Sequence, residues 1–253
     1  MGSEAAGGVG RAVKARAAVR AEADAAGVTR LTELRSQTPL VLRPAADGLY
    51  LAAGAAGPLG GDVLELSVEV GPGAELTLRT VGATVVLPGA GESSFRLVLS
   101  VAAGGRLSVL PEPTVVASRA RHRAVVEAAV AAGGALLVRE EVILGRHAEP
   151  GGAYRGLLRV DLAGAPLLRH ELVLDGTDPV STARAAVTGS RACGALLAVG
   201  IDVAGHVCAD AAVLPLAGGG MLVTAVADDA LTLRGRLDAV LTGAGSTPTP
   251  PRR

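Results

Sequence analysis

A unit of strand, glycine-rich turn and strand recurs about every thirty residues, and this repeat limits the possible folds more than any other feature. The first copy alternates apolar and polar residues over Val63–Val70, turns at residues 71–74 and alternates again over Glu75–Thr80. Period-two alternation is typical of a half-buried β-strand. The pattern therefore predicts a mainly β protein.

Three further segments, residues 97–109, 125–138 and 157–169, repeat this unit with turns rich in alanine and glycine. The leucines that follow the four turns are spaced by 31, 29 and 31 residues and are Leu76, Leu107, Leu136 and Leu167. A regular period built from β units predicts stacked or helical β-sheet layers, a β-solenoid-like fold. An ordinary meander or sandwich is the alternative, because hairpins also recur in those folds.

Two segments depart from the strand pattern and predict about two α-helices. Within residues 228–242, helical spacing places these apolar side chains on one face: Ala230, Leu233, Leu237, Val240 and Leu241. Asp228 or Asp229 can cap the start of this helix and Gly243 can end it. Residues 181–189 are the second candidate.

The two ends of the chain differ in composition from its middle. Residues 1–10 are small and polar, and residues 244–253 are rich in proline and end in two arginines. Such segments bury little apolar surface, so both are expected to be disordered. This leaves residues 11–243 as a single β domain.

Composition indicates which side chains form the core, which compartment the protein occupies and which partners are not expected. The chain is 49% hydrophobic but has only three aromatic residues, Tyr50, Phe95 and Tyr154, so small aliphatic side chains must pack thin layers. The formal net charge is zero, which gives no reason to expect a nucleic-acid partner. Two cysteines without a Cys-x-x-Cys motif, and no signal peptide or apolar run of about 20 residues, predict a cytoplasmic protein without a membrane partner.

Several common catalytic motifs are missing from the sequence. The only lysine, Lys14, does not follow a glycine-rich loop, so there is no P-loop and the chain is not a standard NTPase. The Gly-x-Ser-x-Gly elbow and the His-Glu-x-x-His helix are also absent. These absences remove the usual signatures of NTPases, α/β-hydrolases and zinc proteases.

The remaining polar candidates are one histidine–cysteine pair and several carboxylates. On a strand, His206 and Cys208 share one face and have metal-ligand chemistry, but a core cysteine beside a strand-edge histidine is the favoured explanation. The carboxylates stand beside turns or after the third repeat strand and are Asp62, Glu112, Glu140, Glu141 and Glu149. Such residues can act as acid and base on glycosides, hold and release a divalent metal, or simply cap turns and strand edges.

Taken in order, the same segments resemble the urease accessory protein family UreD, also called UreH. Residues 36–44 resemble its opening Pro-Leu strand, and residues 57–62 are similar to its Gly-Gly-Asp turn. Residues 110–114 match its Pro-Glu-Pro element, and residues 139–146 resemble its Gly-Arg motif, with Glu149 close behind. The resemblance covers roughly residues 36–200.

The sequence departs from the family pattern after Leu78. The family usually reads close to Thr-x-Gln-Ala-Ala-Thr-Lys there, whereas residues 80–86 of this chain contain neither glutamine nor lysine. Any role of those two positions is therefore in doubt here. The C-terminal end is also short and poor in aromatics, so partner contacts in that region are expected to differ.

The resemblance implies a mostly β, non-enzymatic protein that helps to insert nickel into apo-urease. Such proteins bind UreF, which recruits the GTPase UreG, and they hold no tight cofactor but pass nickel transiently through an internal polar tunnel. Residues of this chain that could line such a path are Asp62, Thr84, Glu112, Glu140 and Glu141. Residues that could set the local potential or assist are Arg139, Arg146, His122 and Glu149.

Two other functions stay open from the residues alone. Stacked β layers with scattered carboxylates also suit a carbohydrate-active or glycan-binding protein, although sugar sites favour more aromatics than this chain has. A purely structural repeat protein is the third possibility. If the chain is an accessory protein, its partner surface can include the predicted 228–242 helix only where the apolar face of that helix is not already buried.

Overall fold

A computed structural model describes residues 12–179, 189–202 and 210–242. The predicted second helix at residues 181–189 falls almost wholly outside these ranges, as do His206, Cys208 and both predicted disordered ends. No helix within the described ranges is long and apolar enough to cross a bilayer.

Strands make up most of the described chain, with one helix near its C-terminal end. The first nine strands are β1 Lys14–Ala23, β2 Thr29–Arg35, β3 Leu40–Ala45, β4 Gly48–Ala53, β5 Val63–Val70, β6 Glu75–Thr80, β7 Thr84–Val86, β8 Ser93–Val101 and β9 Arg106–Leu110. The remaining elements are β10 Thr114–Val116, β11 Arg121–Val130, β12 Ala135–Leu144, β13 Ala153–Leu162, β14 Ala165–Asp175, β15 Ala192–Val199, β16 Ala211–Pro215, β17 Met221–Ala227 and the helix α1 Ala230–Thr242.

These strands form two stacked sheets. Sheet A has the order β14-β13-β11-β8-β5-β1-β2, and sheet B has the order β16-β17-β15-β12-β9-β6-β4-β3, with β10 beside β12 and β7 beside β10. The strands at the centre of both sheets are parallel, while the outer strands pair antiparallel. The chain moves from sheet A to sheet B and back in successive coils, so the predicted mainly β, β-solenoid-like fold is confirmed.

The thirty-residue period corresponds to one step along the stack. Leu76 of β6 and Leu136 of β12 both pair with Leu107 of β9, so the predicted equivalence of these three residues is correct. The turns stack as well, since the Gly104 amide donates to the Gly133 carbonyl at 3.1 Å. Both glycines have φ above +70°, a conformation that a side chain would strain.

The fourth copy of the repeat does not cross to sheet B, so the predicted equivalence of Leu167 is wrong. Its first strand, β13, stacks in register on β11, but β14 turns back and pairs antiparallel with β13 in sheet A. The turn explains the difference, because Ala163 and Gly164 have φ of 51° and 79°. Two successive positive φ values are those of a type I′ turn, which directs the chain into a hairpin.

Small aliphatic side chains fill the space between the sheets, as the composition predicts. Leu66, Leu99 and Leu136 are at most 1% exposed there. The helix α1 packs on the other side of sheet B through Leu233 and Leu237, both 0% exposed. The predicted helical face is therefore confirmed, and because it is buried, a partner cannot use its apolar side chains.

The helix begins two residues later than the predicted range because Asp229 serves as its N-cap. The Asp229 carboxylate accepts hydrogen bonds from the Thr232 amide at 2.8 Å and from the Thr232 hydroxyl at 2.7 Å. A capping aspartate of this kind satisfies an amide that has no partner within the helix. One of the two predicted caps is thus correct.

Candidate functional site

Alternation along β12 sends its charged residues to opposite sides of sheet B. The residues Arg139, Glu140 and Glu141 lie inside this strand, whereas the sequence pattern placed them after it. Glu140 faces sheet A, while Arg139 and Glu141 face α1, because successive side chains of a strand point to opposite faces. The two glutamates are therefore separate groups and not a carboxylate pair.

Sheet B has an opening beside these charged residues. On one side of β12, residues Ala135–Val138 pair with β9 and residues Thr114–Val116 of β10 pair with the segment from Val142 to Leu144. Between these two ladders lies Pro111-Glu112-Pro113, and proline has no N–H to donate to a neighbouring strand. We define the sheet opening as residues 111–113 together with residues 139–141.

A cavity of about 420 Å³ lies between the two sheets and reaches the sheet opening. Apolar side chains such as Leu97, Val126 and Val138 form much of its wall. Six of the nine residues predicted from the sequence line this cavity, namely Thr84, Glu112, His122, Arg139, Glu140 and Glu141. Folding therefore brings together polar residues that are up to 57 positions apart in the chain, from Thr84 to Glu141.

Glu140 is the carboxylate that faces the interior of this cavity. Its Oε1 accepts a hydrogen bond from the hydroxyl of Tyr154, a residue that is 2% exposed. Burial raises the pKa of Glu140, and the Tyr154 hydrogen bond opposes this rise. Burial, followed by the nearby Glu140 charge, also raises the pKa of the Cys193 thiol to about 11, so this thiol is neutral at pH 7.

His122 is buried in the cavity wall on sheet A. Its Nδ1 lies 2.8 Å from Ser93 Oγ, and that hydroxyl lies 3.3 Å from the Arg121 carbonyl oxygen. The single serine proton can serve only one of these two contacts, and the tautomer of the ring decides which. Burial lowers the pKa of His122 to about 4, so the ring is neutral at pH 7.

The buried His122 is expected to reduce stability at acidic pH. The unfolded chain binds a proton at this residue near pH 6.5, but the folded chain does so only near pH 4, so acidification favours unfolding. Between pH 7 and pH 4 the free energy of unfolding should fall by about 3 kcal/mol from this residue. Denaturant titrations of the wild type and His122→Gln across this range measure the difference.

A matched control for that measurement is His147→Gln, because His147 lies in an exposed loop. The wild type and His147→Gln should lose stability in parallel on acidification, while His122→Gln should lose less. Equal slopes for all three proteins would show that His122 titrates normally in the folded chain.

On the helix side of the sheet opening, ion pairs connect β12 to α1. Arg234 donates from Nη2 to Glu141 at 2.5 Å and from Nη1 to Glu112 at 2.9 Å. Arg139 donates from Nη1 to Asp238 at 3.0 Å. The pKa of the Arg234 guanidinium is raised above its usual value, mainly by the hydrogen bond to Glu141. Two of the predicted carboxylates at the opening, Glu112 and Glu141, are therefore bonded to the same guanidinium group.

The other three predicted residues do not line the cavity. Asp62 is 3% exposed and accepts from the Val13 amide at 2.8 Å and from the Leu59 amide at 2.9 Å, so it fixes the Gly-Gly-Asp turn. Arg146 and Glu149 pair with each other at 2.8 Å in a loop. The Arg146 hydrogen bond lowers the pKa of Glu149 to about 2. A role of these three in metal transit stays a prediction.

Sequence reasoning missed three residues of the site. Tyr154 was visible only as one of three aromatics, and Arg234 and Asp238 only as the polar side of a predicted helix. Their partners lie far away in the chain, for example 93 positions between Arg234 and Glu141. The run of three charged residues at positions 139–141, beside apolar strand residues, was the one available signal.

Fold and site together define a class of protein. It is a stacked β scaffold whose inter-sheet cavity carries a few polar and charged groups in an otherwise apolar wall. Within the described ranges, no three histidine, cysteine or carboxylate side chains converge as a metal site. The polar groups of the cavity are instead spread along its wall.

Comparison with known proteins identifies the family. The sequence model described as UreD urease accessory protein matches residues 13–252, so the chain belongs to the UreD family. The urease accessory protein UreD of Parafrankia sp. (strain EAN1pec) is 44% identical over 273 residues, covering 94% of this chain and 92% of that protein. UreD of Frankia alni is 43% identical, covering 90% and 92%, and UreD 1 of Saccharopolyspora erythraea is 39% identical, covering 90% and 94%.

Proposed function

We propose that this chain is a non-catalytic scaffold for the incorporation of nickel into apo-urease in the cytoplasm, acting with UreF and the GTPase UreG. In this proposal nickel is cargo that passes along the cavity between the sheets and is not a resident cofactor. The observation that carries the proposal is the cavity itself, which in a member of the UreD family gathers four residues predicted for a transit path and two, Arg139 and His122, predicted to assist it. Family membership favours this function over the glycan-binding and structural-repeat alternatives.

The chemistry of the cavity wall suits transient passage of a divalent cation. Glu140 offers a carboxylate, His122 a neutral imidazole and Thr84 a hydroxyl, and all three line the cavity. Carboxylate is a hard ligand and imidazole an intermediate one, and both bind nickel. Because they do not converge on one point, none of them would hold the ion in a closed coordination shell. Weak successive contacts permit release, which a scaffold that hands on its cargo requires.

The test of this proposal is co-expression of the tagged chain with the urease structural subunits, UreF and UreG from the same source. We expect the chain to co-purify with UreF and urease, and nickel-loaded, active urease to form only when the chain is present. Nickel is measured by elemental analysis of the purified urease. Urease that acquires its full nickel content without the chain would overturn the proposal.

A further inference from the structure

The charged groups at the sheet opening do not balance. Two guanidinium groups, Arg139 and Arg234, face three carboxylates, Glu112, Glu141 and Asp238. Arg139 and Glu141 are 7% and 1% exposed in their side chains, so their charges need partners inside the protein. Which carboxylates are paired with Arg139 and Arg234 therefore determines which negative charge is available to an ion in the cavity.

Arg234 occupies the position of a cation between two carboxylates. Its Nη1 lies 2.9 Å and 3.0 Å from the two oxygens of Glu112, and its Nη2 lies 2.5 Å from Glu141. Glu112 comes from the segment between β9 and β10 and Glu141 from β12, so one guanidinium group spans the sheet opening. The Arg234 side chain is 26% exposed, which gives it a direct way to solvent without unpacking the apolar face of α1.

Arg139 carries an unsatisfied donor close to the Glu141 carboxylate. Its Nε is buried and has no hydrogen-bond partner among the described residues, and it lies 3.8 Å from Glu141 Oε1. An unpaired buried N–H is costly, and a shift of the Glu141 carboxylate by less than 1 Å toward Arg139 would satisfy it. Glu141 thus lies between two guanidinium groups and is bonded to only one.

We propose that Arg234 closes the sheet opening as an internal substitute for a divalent cation, and that its withdrawal opens the cavity toward Glu112. When Arg234 leaves, Glu141 moves to the waiting Nε of Arg139 and remains paired, while Glu112 becomes free to contact a cation. The inference rests on the proposed function, because it names how access to the nickel path is regulated. It assigns a positioning role to Arg234, a residue outside the predicted set.

The test is calorimetric titration of the purified full chain with nickel chloride. Arg234→Gln keeps a hydrogen-bonding side chain but removes the charge, and we expect it to bind nickel at least about tenfold more tightly than the wild type. Adding Glu112→Gln to that variant should abolish the gain. The matched control is Arg236→Gln on the same helix, because Arg236 pairs with Asp210 at 2.8 Å instead of with Glu112 and Glu141.

Three results would overturn the inference: no gain in Arg234→Gln, an equal gain in Arg236→Gln, or a gain that persists after Glu112→Gln. Circular dichroism establishes whether each variant is folded. If Arg234→Gln does not fold, Arg234→Lys replaces it, since a single ammonium group cannot span both carboxylates as the guanidinium does. A smaller gain is then expected, and wild-type affinity in the folded Arg234→Lys protein would refute the inference.

The titration uses the chain alone, so its result can reject closure by Arg234 without rejecting the proposed function, and the reverse also holds. A gain in nickel affinity combined with normal urease activation by cavity variants would support closure by Arg234 and reject transit through the cavity. No gain, combined with impaired activation by those variants, would reject closure by Arg234 and support transit.

Discussion

Replacing Glu140 with glutamine is expected to lower the nickel content of co-expressed urease about tenfold or more. Glu140 is the carboxylate that faces the interior of the cavity, and its pKa is raised because it is removed from water. A charge in such surroundings acts on a divalent ion more strongly than it would in water. A loss of about 1.4 kcal/mol at this point of the path already slows passage tenfold.

The glutamine variant should fold at least as well as the wild type, which separates transit from stability. Glutamine keeps an oxygen that can accept the Tyr154 hydroxyl. A buried carboxyl with a raised pKa binds more protons in the folded than in the unfolded state, so it costs stability as the pH rises above its usual value near 4.5. At pH 7 the uncharged glutamine removes that cost, which unfolding curves at pH 5 and pH 7 can measure.

Under the proposed passage of nickel along the cavity, the same raised pKa predicts a pH dependence of delivery by the wild type. Protonated Glu140 cannot attract a cation, so delivery should fall as the pH is lowered through the raised pKa. The matched control is Glu171→Gln, which makes the same chemical change on the exposed strand β14. Urease with its full nickel content in the presence of Glu140→Gln would show that the ion does not pass this residue.

Replacing Asp62 with alanine is expected to destabilise the chain by about 3 kcal/mol. The substitution leaves two amides, those of Val13 and Leu59, without the buried carboxylate that accepts their hydrogen bonds. A hydrogen bond to a charged group contributes about 1.5–3 kcal/mol, and the partial exposure of these amides places the total near the lower end. Guanidinium unfolding of the wild type, Asp62→Ala and Asp62→Asn measures the effect, and asparagine, which keeps one acceptor oxygen, should fall between the other two.

The Asp62 variants also decide whether this residue has a role beyond folding. We expect the urease nickel content to follow the amount of folded chain, so that it is normal when folded Asp62→Asn and wild type are compared at equal amounts. A nickel deficit under those conditions would instead place Asp62 on the transit path, as the resemblance to the family implies.

Local patterns predicted the framework of this protein well. Alternation in β5 and β6 is a direct consequence of strand geometry, and the spacing of Leu76, Leu107 and Leu136 is the length of one coil. The apolar face of α1 followed from helical spacing for the same reason. The fourth repeat was mispredicted because the hairpin depends on two positive φ values at Ala163 and Gly164.

The candidate site was predictable as a set of residues but not as an arrangement. Glu140 and Glu141 are neighbours in sequence and lie on opposite faces of β12. A strand predicted to continue through these charged residues would have placed them on opposite faces. Strand patterns usually end at such charges, because solvent is the usual partner of a glutamate. Here the partners are Tyr154 and Arg234, supplied by other elements.

The sequence by itself determined the family, the mainly β class, the repeat length and the helical face, since each of these depends on backbone periodicity or on motifs in order. Only the tertiary structure decided that Asp62 fixes a turn, that Glu140 faces a cavity, and that Arg234 spans Glu112 and Glu141. The physical reason is the sequence separation of the residues that interact. Periodicity reflects interactions between residues a few positions apart, whereas the surroundings of a buried charge are formed by residues about a hundred positions away, as in the pair of Arg139 and Asp238, 99 positions apart.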